Sequence, residues 1–93
     1  MFYIKACPFC GDGALGIRRC ADGHKLVVMC DECESVWTSP DNISLTNILD
    51  IEDNGFKLRD LELEIGGGSA GWASEAEIAA KGWSQFVVGV QPE

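Results

Sequence analysis

Hydrophobic and polar positions along the chain separate into two regimes. From Ala14 to Cys20 the pattern reads as a strand with Leu15 and Ile17 on one face. Lys25 to Met29 is a second, more apolar strand, and Asp22-Gly23 between them is a turn signal. A β-hairpin is therefore predicted here. Glu34 to Ser39, with Val36 and Trp37, predicts a third strand, and Phe2 to Ala6 a strand pairing at the edge.

The second half patterns differently. Ser39-Pro40-Asp41 has the grammar of a helix start, with Ser39 as cap and Pro40 at the first helical position. Leu45, Ile48 and Leu49 would then share a face. The competing reading is a hairpin around Asn54-Gly55. Leu61, Leu63 and Ile65 alternate with Glu62 and Glu64, which favours a strand over 61–65. Residues 66–71 read as a flexible glycine loop; no Gly-Lys-Ser/Thr follows to make it a phosphate cradle. Ser74 and Glu77 form a capping box, Ala73 and Ile78 occupy the staple positions, and Gly82 is the C-cap of a short helix. Trp83, Phe86, Val87 and Val88 make an apolar tail expected to dock as a last strand or turn.

Composition narrows the class. The chain has 93 residues, 46% of them apolar and 24% charged, as in an ordinary globular domain. A chain of this size has a modest core and often needs a staple. No apolar leader is visible at Met1 to Ala6, and the longest apolar runs, Leu26 to Cys30 and Phe86 to Val90, are too short to span a bilayer. The expectation is a cytoplasmic protein with no membrane contact. In that compartment five cysteines point to metal or redox chemistry rather than disulfides.

The cysteines supply the sharpest signal. Cys7-Pro8-Phe9-Cys10-Gly11 is one pair, Cys30-Asp31-Glu32-Cys33 the other, and nineteen residues separate Cys10 from Cys30. Each C-x2-C turn can aim two sulfurs at one point, and Gly11 tolerates the positive φ that such a knuckle needs. Two facing knuckles complete a tetrahedral site of four sulfurs for one structural zinc ion, with no position open for catalysis. Cys20 reads as a small buried apolar residue, and His24 as an exposed turn residue. Residues 3–39 resemble the zinc-ribbon family, in particular its CPxCG type. A rubredoxin-like iron site would use the same four thiolates. A thioredoxin-like redox motif would need a βαβ unit that the pattern lacks. The fold class expected is α+β: a four-cysteine zinc ribbon over 1–39 and an acidic strand/helix extension over 40–93 packed on it.

Charge bears on partners. Residues 1–40 hold four basic and five acidic side chains, whereas 41–93 hold three and ten. The formal net charge is −8. That opposes nucleic-acid binding; it suits a basic protein partner, or simply keeps the protein soluble. Asp60, Glu62, Glu64, Trp72 and Glu75 are the partner-contact candidates, with Trp72 as an exposed anchor. No nucleophile stands beside a base in the sequence, so a non-enzymatic binding protein is expected. Over 66–86, the run Trp72-Ala73-Ser74…Glu77-Ile78…Gly82-Trp83 behind the glycine loop resembles the end of small bacterial immunity-type proteins. That resemblance implies neutralisation of a basic, nuclease-type toxin. The alternatives are a zinc-ribbon adaptor of the transcription or translation machinery and an iron electron-transfer protein.

Overall fold

In the computed structural model, the residues described are 1–46, 48, 57–58, 63–64, 66 and 68–91. Six antiparallel strands form the main sheet: β1 (Phe2–Ala6), β2 (Ala14–Arg19), β3 (Leu26–Cys30), β4 (Val36–Trp37), β7 (Gly71–Trp72) and β8 (Gly89–Val90). The order is β4-β3-β2-β1-β8, with β7 also paired to β2. β5 (Lys57–Leu58) and β6 (Leu63–Glu64) make a separate antiparallel pair. One helix, α1 (Glu75–Lys81), and a 3-10 turn, Ser84–Phe86, complete the described elements. The architecture is α+β, as the sequence predicts.

Register explains why β3 is buried along its whole length. Leu15 faces Cys30, Ile17 faces Val28 and Arg19 faces Leu26. Opposed residues share a face, so Leu15, Ile17, Leu26 and Val28 point into the main core with Ile4, Trp37, Ala73 and Ile78. The intervening positions, Val27 and Met29, enter a second cluster on the opposite face with Cys20, Val36 and Trp72. Both faces are covered, so β3 is a continuous apolar run rather than an alternating one.

The predicted helix forms with its caps. The Glu77 amide donates to Ser74 Oγ at 3.2 Å, and the Ser74 amide donates to Glu77 Oε1 at 3.0 Å. Gly82 adopts φ 83°, and the amides of Gly82 and Trp83 reach back to Ala79 and Ile78, which closes the last turn. Burying Ile78 from this helix contributes on the order of 1.5–3 kcal/mol. The hairpin turn is equally local: Asp22 Oδ1 accepts the amides of His24 and Lys25, each at 2.9 Å.

Two expectations are revised. Ser39 does not cap a helix, because its hydroxyl donates to the Asp41 carboxylate and Asn42 N–H turns back to its carbonyl. The Trp37 indole donates to the Ser44 carbonyl at 2.8 Å, holding 39–46 as turns and leaving Leu45 exposed. β1 is interior rather than at the edge, because β8 pairs with its outer side. The β5–β6 pair matches Leu58 with Leu63, and the hairpin read around Asn54-Gly55 falls outside the described residues. The longer strand expected over 61–65 is described only at Leu63–Glu64. Among the described residues no helix is long and apolar enough to cross a membrane.

Candidate metal centre

The first knuckle follows directly from β1. Cys7 donates its amide to Gly13 O at 2.9 Å, and its carbonyl accepts Gly11 N–H at 3.1 Å, which curls Pro8 to Asp12 into a tight loop. Gly11 has φ 74°, as the knuckle requires. Gly13 is constrained by proximity instead: a Cβ there would lie 2.5 Å from Cys30 Sγ.

The second knuckle closes the end of β3. The amides of Glu32 and Cys33 donate to Cys30 Sγ at 3.4 and 3.5 Å. Glu34 takes φ 60°, the same left-handed conformation that Gly11 takes after the first pair. Asp31 straps the knuckles together. Its amide donates to Ala14 O at 3.1 Å, and its carboxylate accepts Ala14 N–H at 2.9 Å.

All four sulfurs lie within 4.8 Å of one another. Cys7 Sγ is 3.8 Å from Cys33 Sγ, and Cys10 Sγ is 3.7 Å from Cys30 Sγ. A tetrahedron with metal–sulfur bonds of about 2.3 Å has edges of about 3.8 Å, so these two separations suit a four-thiolate metal site. The four side chains are therefore a zinc-ribbon-like cluster able to hold a metal ion. Cys7 and Cys30 are buried, whereas Cys10 and Cys33 are partly exposed. The electrostatics are asymmetric. Backbone amides of Gly13 and Asp12 hold the Cys10 thiol down at about 7. Burial pushes the Cys30 thiol up to about 12. Burial disfavours the Cys30 thiolate, and a cation among the sulfurs would offset that cost.

Cys20 lies outside this cluster, fully buried with Val27, Met29 and Val36; burial raises its thiol. His24 is exposed in the hairpin turn.

The partner candidates are dispersed. Asp60 and Glu62 lie outside the described residues, and Glu64 is described only as part of β6. Trp72 is half-buried in β7, opposite Arg18, whose guanidinium lies 5.1 Å from its ring centroid. The sheet, rather than the glycine loop, takes this tryptophan. Glu75 is exposed at the start of α1, on a cleft lined by Phe2, Ile78, Ser84 and Val87. Sequence reasoning did not reveal this cleft, because it joins β1 to the last twenty residues. Nor did it find Asp31, Gly13 or Arg19 as structural partners. Only the residue types were visible, and their partners are distant in sequence.

Comparison of the chain with protein-family models, curated proteins and solved structures finds no significant match.

Proposed function

We propose that this chain is a zinc-stabilised, non-enzymatic binding protein whose partner is a basic protein. The observation that carries this reading is the convergence of the four sulfurs, within 4.8 Å of one another. Cys7, Cys10, Cys30 and Cys33 would hold the ion, and four protein ligands leave no position for a substrate. Bound zinc would supply folding free energy by cross-linking the two knuckles. Four thiolates around a divalent ion also carry a net charge of −2, which adds to the acidic balance of the chain. The finer reading is an immunity-type protein that neutralises a nuclease-type toxin. Its supports are the net charge of −8 and the uneven split of that charge, with ten acidic and three basic side chains over residues 41–93.

Metal analysis of reduced, freshly purified protein tests the core of the proposal. One zinc per chain is expected in colourless protein, released together with the fold by a chelator. A coloured protein carrying iron would instead support electron transfer. For the finer reading, the partner captured on the immobilised chain should be basic, and its nucleolytic activity should fall at equimolar addition. A captured partner that is acidic, or nucleic acid itself, would move the assignment to an adaptor.

A further inference from the structure

β8 forms one end of the main sheet, and among the described residues nothing pairs with its outer edge. Gln91 N–H donates to Met1 O at 2.8 Å, and the Met1 amino group donates to Gln91 O at 2.9 Å. Antiparallel ladders alternate inward and outward amide groups, so the N–H and C=O of Val90 point away from β1. The edge is also apolar: Val88 is 68% and Val90 61% exposed. Exposed apolar edges are templates for another strand and are ordinarily blunted by charge, proline or cover.

Next to this edge is the cleft of about 190 Å³ lined by Phe2, Ile78, Val87, Ser84 and Glu75. It exceeds the ~150 Å³ of an apolar cavity that holds benzene. Val90 stands opposite Phe2 in the β1–β8 register, so their side chains share a face. Apolar surface thus runs from the sheet edge into the cleft. The exposed Glu75 carboxylate stands beside the buried Ile78 as the acid among the lining residues. Tyr3 covers Gly89 on the other face, where a Cβ would meet its ring at 2.6–2.8 Å.

We propose that β8 is a docking edge for an extended segment of the basic partner. The segment adds as a strand beside Val90, places one apolar side chain against Phe2, Ile78 and Val87, and sets a Lys or Arg against Glu75. Main-chain bonds at the edge would provide affinity, and the cleft and carboxylate selectivity. This inference deepens the binding-protein reading and rests on it for the basic character of the partner.

The test uses zinc-loaded, 15N-labelled full chain and a blocked hexapeptide of alternating valine and lysine. Amide shifts at Val88 to Gln91, Phe2 and Ile78, with slowed exchange of the Val90 amide, are expected. Val90→Pro deletes the outward donor without removing a β1–β8 bond, and should weaken binding about tenfold, the scale of one lost hydrogen bond. Glu75→Gln should weaken binding of the lysine peptide but not of its serine counterpart. The spectrum of each variant without peptide verifies the fold. Absence of shifts at millimolar peptide, or shifts centred on the knuckles or hairpin turn, overturns the edge assignment. A β8-mediated dimer that excludes the peptide also overturns it, naming a second copy as the occupant. Zinc content and partner capture are measured separately, so the broader reading can survive while this surface fails, or fail on its own.

Discussion

Glu34, at φ 60°, holds a conformation that costs an L-residue with a Cβ roughly 1–2 kcal/mol. Gly11 meets the same demand after the first pair of cysteines without that cost. Glu34→Gly is therefore expected to stabilise the protein by up to about 1 kcal/mol after the added unfolded-state entropy is subtracted, measured by denaturant unfolding with metal bound. Gly13→Ala should act oppositely, because its methyl would meet Cys30 Sγ. Competition with a chromophoric chelator should show weakened metal binding for this variant. Cys7→Ser removes a buried ligand and should unfold at least the ribbon, since structural zinc contributes on the order of 10–16 kcal/mol in small domains. Cys20→Ser should leave metal content unchanged, because that thiol lies in the other core cluster. The four clustered cysteines were legible from their spacing alone. The strain at Glu34 was not, since glutamate gives no sign of a left-handed position.

Among the elements, α1 shows how one carboxylate serves two purposes. Glu77 accepts the Ser74 amide within the capping box and also takes Arg19 Nη1 at 2.6 Å, while Arg19 Nε donates to Ser69 O at 2.7 Å. The helix start, the glycine loop and β2 are thereby joined. Ser74→Ala should cost about 1 kcal/mol in thermal or denaturant unfolding. The Ser74 amide is the main cause that holds the Glu77 carboxyl below the ordinary carboxylate range, followed by the Ser74 hydroxyl and Arg19. A depressed folded-state value means that this stabilisation is complete above the unfolded-state value and is lost as pH falls through the folded one. Acid unfolding of Glu77→Gln should accordingly be less steep below about pH 4, the ordinary carboxylate range. The capping box was readable because Ser74 and Glu77 are three residues apart. Arg19 lies fifty-eight positions from Glu77, and no local pattern links them.

At the scale of the whole molecule, charge sets the expected behaviour. With a net charge of −8, no gel shift of duplex DNA or RNA is expected at low micromolar protein and about 0.15 M salt, where the Debye length is roughly 8 Å. A shift with steep salt dependence would overturn this. If the partner is basic, its association rate should fall as salt rises, with little change in dissociation. A stopped-flow salt series measures both rates.

What the sequence determined by itself is local: two cysteine knuckles, the hairpin between them, the helix with its caps, and the α+β class. Each depends on residues a few positions apart, where spacing translates directly into geometry. The tertiary structure decided what depends on long-range pairing. It placed β8 outside β1 and β7 beside β2, turned Trp72 into a sheet residue, and engaged Ser39 and Ser44 in local contacts where a helix start was one of two readings. It also assembled the cleft at Phe2 and Ile78 from segments more than seventy residues apart. Such contacts form because both sheet faces and the ends of α1 must bury apolar surface together, and a pattern read along one segment does not specify which distant segment will cover it.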